Sequence, residues 1–307
     1  MTRLMHVTDG PYAPPTARRE LVATSRDGAR LHVEVHGPDG APAVVLSHGW
    51  TCSTAFWAAQ VRALSATHRV VLYDQRGHGR SPAAPGRYST TALADDLVAV
   101  LGATLAPGEK AVLGGHSMGG MTLMAAAGRP EFAEHAAAAL LCSTGSSRLT
   151  EESTVLPLRP GPFRTRATRA VLGARAPLGP VTPVARKVLK YATMGPGSAP
   201  EKVEACARIV HACPTPVRHG WSGVLAALDL DAGVRALAVP TAVIGGTVDR
   251  LTPVGHARAL AAALPHCVGL TELAGMGHMT PVEAPEAVTR TITELARQYV
   301  PAKEGTS

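Results

Sequence analysis

Ser117 stands in the run Val112-Leu113-Gly114-Gly115-His116-Ser117-Met118-Gly119-Gly120, where an aliphatic stretch stops at two glycines and a serine is followed by two more. A serine hydroxyl is a weak nucleophile until a base takes its proton, and the base works best when an acid holds its ring. Two later positions offer those partners. Asp249 lies in Gly245-Gly246-Thr247-Val248-Asp249-Arg250, and His278 lies in Gly275-Met276-Gly277-His278-Met279, each in a loop directly after an apolar run. A serine, a carboxylate and an imidazole brought together carry out acyl transfer: attack on a carbonyl, an acyl-enzyme, then water. The glycines fit that reading. In G-x-S-x-G the serine occupies a turn so tight that side chains two positions to either side would strike the flanking strand and helix. The competing reading is a glycine-rich helix cap with an incidental serine.

These residues need elements that hold them at one edge. Residues 31–36 alternate apolar and polar, as a half-buried strand does. Residues 43–47, 70–74, 111–115, 138–142, 241–245 and 268–272 are short apolar runs of the kind that form strands covered on both faces. Helical periodicity falls between them, at 53–66, 91–104, 118–128, 254–263 and 284–299. Alternating strands and helices imply an α/β fold, a mostly parallel sheet with helices on both faces. Ser117, Asp249 and His278 all follow strands, so all three are expected at one sheet edge.

The alternation fails between 145 and 220. That segment is rich in proline, has no strand-like run, and holds twelve Lys/Arg against four Asp/Glu, which accounts for the whole net charge of +7. Short helices are expected at 163–173, 183–193 and 200–211. The segment reads as a helical cap inserted into a core of residues 24–144 and 221–300. Residues 1–23 and 301–307 read as flexible ends.

Other chemistry finds little support. The histidines lack His-x-x-x-His or His-Glu-x-x-His spacing, so no metal or cofactor is expected. Gly114-Gly115…Gly119-Gly120 has no lysine and is no phosphate loop. The basic cap lacks interleaved aromatics, which argues against nucleic acid. No apolar run approaches the length of a membrane span. The N-terminus has no signal-peptide pattern, and five scattered cysteines read as mostly buried reduced thiols, so the expected location is cytoplasmic. Among other acids, Asp95 and Asp96 are expected on an exposed helix face, and Asp229 and Asp231 at solvated ends.

With Ser47-His48-Gly49-Trp50, Asp74-Gln75-Arg76-Gly77-His78-Gly79-Arg80-Ser81, the glycine-framed serine, Asp249 and His278 in view, the chain resembles α/β-hydrolase fold serine hydrolases over about residues 24–300. That group includes small bacterial esterases and cofactor-free haloperoxidases. The order Ser117, Asp249, His278 is similar to the order of its triad. The resemblance implies an oxyanion hole made by the backbone N–H groups of Trp50 and Met118. It implies a structural role for the Asp74–Ser81 loop, while His48 and His116 read as structural hydrogen-bonding groups. Serine, not aspartate, at the nucleophile position points to a carboxylic ester hydrolase acting on a small or medium apolar substrate. Trp50, Met118 and Met279 are expected to line its pocket from the core, with Leu149 and Met194 from the cap. Three alternatives stay open. A thioesterase would use the same residues, and the basic cap could draw an acyl carrier or CoA group, although its arginines could simply coat helices. The others are a perhydrolase or haloperoxidase-like activity and a ligand-binding pseudoenzyme.

Overall fold

A computed structural model describes residues 12–300; residues 1–11 and the tail 301–307, both expected to be loose, lie outside the described residues. Eight strands form one sheet: β1 (Arg19–Thr24), β2 (Arg30–His36), β3 (Ala43–Ser47), β4 (Arg69–Tyr73), β5 (Ala111–His116), β6 (Ala136–Cys142), β7 (Thr241–Gly246) and β8 (Cys267–Leu273). Their order is β1-β2-β4-β3-β5-β6-β7-β8. β1–β2 and β2–β4 pair antiparallel, and every later pair is parallel.

The apolar runs are explained by the layers. Val45, Leu113, Leu141 and Val243 enter one hydrophobic body, with residues of α2 (Thr90–Thr104) and α3 (Met118–Ala126). Their neighbours Val44, Val112, Leu140 and Ile244 enter a second body, on the face covered by α1 (Ala58–Leu64) and α13 (Pro285–Tyr299). Successive side chains of a strand point to opposite faces, so a strand covered on both sides must be apolar at every position. The remaining core helices are α4 (Pro130–His135), α10 (Asp231–Ala236), α11 (Val254–Ala263) and α12 (Thr280–Glu283).

Between β6 and α10 the chain forms five helices: α5 (Leu149–Glu152), α6 (Pro162–Leu172), α7 (Pro183–Thr193), α8 (Pro200–Ala212) and α9 (Thr215–Ala226). Four of them carry proline in the first turn, where its missing N–H costs nothing and its fixed φ suits the helix. The prolines that exclude strands here therefore start helices. α9 was not expected, and it carries the insertion beyond residue 220.

Three further expectations need correction. Residues 19–23 are not loose: β1 alternates in burial and pairs in register with β2, Leu21 opposite Val33. β8 is not a covered strand. It is the edge of the sheet, with Val268 and Leu270 exposed. Asp96 is on α2 but buried, because the buried Arg76 guanidinium needs a counter-charge: Nη2 meets Asp96 Oδ1 at 2.6 Å and Nε meets Oδ2 at 3.0 Å. All five cysteines are free, and four are buried. Among the described residues no helix is long and apolar enough to cross a membrane.

Candidate functional site

Ser117 follows β5 directly and precedes α3, with φ 51° and ψ −116°. A non-glycine residue at positive φ is strained and persists only where its surroundings hold it. Those surroundings are strong: its N–H donates to Cys142 O at 2.9 Å, and its carbonyl accepts from Thr144 Oγ1 at 2.8 Å and from Met121 N–H at 3.1 Å. The flanking glycines are forced by contact. A Cβ on Gly119 would collide with the Ser47 carbonyl, and one on Gly115 with the backbone of Gly119 and Gly120.

His278 lies beyond β8 and Asp249 beyond β7. The His278 Nδ1 lies 2.8 Å from Asp249 Oδ2 and 3.2 Å from Thr252 Oγ1. Asp249 is held in turn: Oδ1 accepts from Leu251 N–H (2.8 Å) and Thr252 N–H (3.0 Å), and Oδ2 from the Thr252 hydroxyl (2.8 Å). Both side chains are buried. With Nδ1 engaged, Nε2 is the ring nitrogen left for chemistry.

The loop of His278 is tied down by a residue the sequence reading passed over. Glu283 is buried and accepts from the N–H of Gly277 (3.1 Å) and Met279 (3.1 Å), and across the cap boundary from Gly195 N–H (2.6 Å) and Ser198 Oγ (2.8 Å). Thr280-Pro281-Val282-Glu283 is a helix-start pattern, which could have pointed to a carboxylate reaching back onto main-chain N–H groups. From the cap, Thr193 O accepts from His278 N–H at 2.8 Å.

The His48-Gly49-Trp50 loop after β3 is pinned by two neutral imidazoles. His48 Nε2 accepts from Gln75 N–H (2.9 Å), and His78 Nε2 accepts from Thr51 N–H (3.1 Å). Burial pushes His48 down to about 3 and His78 to about 4. His116 donates from Nε2 to His278 O at 2.8 Å, and burial holds it well below the ordinary histidine range. These rings act as fixed hydrogen-bonding parts.

Ser117 and His278 face one cavity of about 490 Å³ between core and cap. A larger hollow of about 600 Å³ between Arg148 and Asp231 is a shallow surface feature at the cap–core seam and touches neither residue. Of the expected lining residues, Trp50, Met279 and Leu149 lie on the cavity wall. Met118 and Met194 do not. The Met118 side chain, on the first residue of α3, is fully buried in the core. Met194, at the end of α7, is buried behind the His278 loop, its backbone packed so closely on Gly277 that a Cβ there would lie 2.6 Å away. Among the described residues one group could offer three metal-ligand atoms, Glu20, His32 and Glu34, but the Arg80 guanidinium already bonds both carboxylates.

A strand-turn-helix serine, a histidine-carboxylate pair after the last two strands and a helical cap define an α/β-hydrolase architecture. The sequence profile described as alpha/beta hydrolase fold matches residues 42–285, and the chain belongs to that family and is a hydrolase of that fold. A protein of Variovorax paradoxus that carries the name carbamate hydrolase RutD is 33% identical over 278 residues, covering 88% of this chain and 98% of its own. Among solved structures, a thermophilic esterase from Thermogutta terrifontis is 27% identical with a TM-score of 0.73, covering 92% of this chain and 100% of its own. The enol-lactonase from Burkholderia xenovorans LB400 is 26% identical with a TM-score of 0.71, covering 91% and 100%.

Proposed function

We propose that this hydrolase cleaves a carboxylic ester through an acyl-enzyme, with Ser117 as nucleophile, His278 as general base and then acid, and Asp249 as the group that orients the imidazole. The observation that carries the reading is the strained Ser117, on the same cavity wall as an imidazole whose Nδ1 is held by a buried carboxylate at 2.8 Å. Nε2 takes the Ser117 proton during attack and returns it to the leaving alcohol. Asp249 stabilises the imidazolium formed between those steps.

The developing oxyanion is received by the N–H groups of Trp50 and Met118. Met118 is the first residue of α3, so its N–H has no acceptor one turn back within the helix. A preorganised donor of this kind is worth on the order of 3 kcal/mol in the transition state. The same machinery accepts the carbonyl of a carbamate or a lactone, and likeness to a protein named carbamate hydrolase and to an enol-lactonase supports testing both beside esters.

The test is turnover of matched ester, thioester, lactone and carbamate substrates by wild type and Ser117→Ala. Esters should be cleaved fastest, with no effect of a chelator, and kcat/KM should rise with pH to a plateau, because a general base must be unprotonated to accept the serine proton. Ester turnover retained by Ser117→Ala, or activity that climbs toward acid, removes this mechanism.

A further inference from the structure

Among the described residues the cavity wall is mostly apolar, yet it includes two arginines, Arg169 and Arg218, and no Asp or Glu. Arg169 is neutralised: its Nη2 meets Glu151 Oε1 at 2.6 Å and its Nε donates to Thr150 Oγ1 at 3.1 Å. Arg218 is not. It is 6% exposed, and no carboxylate pairs with it among the described residues. Its Nη2 donates to the carbonyls of Ala174 and Ala176, both cavity residues, and its buried Nη1 has no acceptor among the described residues. The thiol of Cys213, close enough to feel the guanidinium, cannot offset it, because burial pushes that thiol up to about 12 and keeps it neutral.

A buried charge is normally paired, and a buried donor normally has an acceptor. Among the described residues Arg218 lacks a paired carboxylate and its Nη1 lacks an acceptor, on the wall of the cavity that Ser117 faces. It is also coupled to the reacting end of the cavity: Trp50 Nε1–H donates to Arg218 O at 3.2 Å. We propose, building on the ester-hydrolase reading, that the substrate carries a carboxylate in addition to the scissile carbonyl, and that Arg218 is the specificity-determining residue that receives it. One uncompensated positive charge and one free Nη call for a monoanion, and guanidinium geometry suits a carboxylate. The basic cap, with twelve Lys/Arg against four Asp/Glu over residues 145–220, draws such a substrate toward the cavity.

The experiment compares two 4-nitrophenyl esters of equal chain length, a straight-chain monoacid ester and a hemi-ester ending in a carboxylate. Wild type should favour the hemi-ester by about 10- to 100-fold in kcat/KM, the range for a hydrogen bond to a charged group. Arg218→Gln should bring the ratio toward one, and Arg218→Lys should keep part of it. A residue that only tethered the Ala174–Ala176 turn would lower both rates and leave the ratio unchanged. In parallel, glutarate and its neutral diamide are titrated into Ser117→Ala by calorimetry. Binding of glutarate alone, lost in Ser117→Ala/Arg218→Gln, supports the site even if neither ester is turned over, which would count against the ester reading only. Equal rates for the two esters in wild type, or no glutarate binding, overturns the proposal whether or not the Arg218 variants fold.

Discussion

At the scale of single residues, the site depends on groups held in one charge state and one direction. Ser117→Ala removes only the hydroxyl, since alanine tolerates the same backbone strain about as well as serine. The fold should survive, with an unchanged melting temperature within a degree or two, while kcat/KM for an ester falls by roughly 10⁴-fold or more. His48, His78 and His116 make a separate prediction about stability. Burial lowers all three, so each stays neutral in the folded chain where an unfolded histidine, titrating near about 6.5, already binds a proton. The unfolded state therefore takes up more protons as pH falls below that value, and stability is lost from there down to about 4 for His78 and about 3 for His48. The loss from these rings should be on the order of 1 kcal/mol per histidine per pH unit. Urea unfolding at pH 7, 6 and 5 measures it, and an unfolding free energy that stayed level would mean that the rings are not held neutral.

Elements decide where those residues stand, and here the sequence was unevenly legible. The glycine frame of Ser117 and the strand-then-loop settings of Asp249 and His278 are local patterns, and local contacts impose them. Gly119→Ala tests the frame: a methyl against the Ser47 carbonyl must push β3 from α3, costing about 2–4 kcal/mol and misplacing the Trp50 loop. Unchanged thermal stability in that variant would contradict the close approach. What was not legible depends on neighbours far along the chain. β8 reads like a central strand because Val268 and Leu270 are apolar, and nothing local says that the sheet ends there. Asp96 reads as exposed because its partner, Arg76, arrives from a loop twenty residues earlier. Met118 and Met194 sit beside site residues in sequence, yet their side chains turn away into packed cores, a direction that spacing cannot supply. Glu283 belongs to this scale as well, since one carboxylate joins the His278 loop to the cap turn at Gly195. Glu283→Ala leaves several buried N–H groups unpaired and should cost about 3 kcal/mol or more, with kcat falling more than KM rises. Glu283→Gln, which keeps one acceptor oxygen, should recover part of both, and equal damage from the two variants would rule out the hydrogen-bonding role.

The whole molecule raises the question of whether the cap is a lid hinged on the core or part of one folding unit. The two hydrophobic bodies answer it by their membership. Cys213, Val217 and Trp221 of the cap are continuous with Leu113 and Met121 of the core, and Leu189, Cys206 and Val210 with Leu46 and Met279. Trp221 is the firmest of these joints: it is fully buried, its Nε1–H donates to Arg76 O at 3.0 Å, and its ring centroid lies 5.1 Å from that of Tyr88. Arg76 in turn is held by the buried Asp96, so α9 is anchored through the core loop to α2. A cap joined this way should not open as an independent domain. Replacing Trp221 by alanine should cost about 3–5 kcal/mol, the range for an emptied aromatic site. Because packing and cavity share these helices, the same variant should also lose ester turnover although Trp221 does not line the cavity. The measurement is denaturant unfolding followed by far-ultraviolet circular dichroism and by tryptophan fluorescence. Wild type should give coincident curves from the two probes, as one cooperative unit does. With Trp50 and Trp57 replaced by phenylalanine so that Trp221 alone reports, a fluorescence transition that preceded loss of the sheet would mean that the cap melts by itself, and that access to Ser117 is set by an opening equilibrium rather than by a preformed cavity.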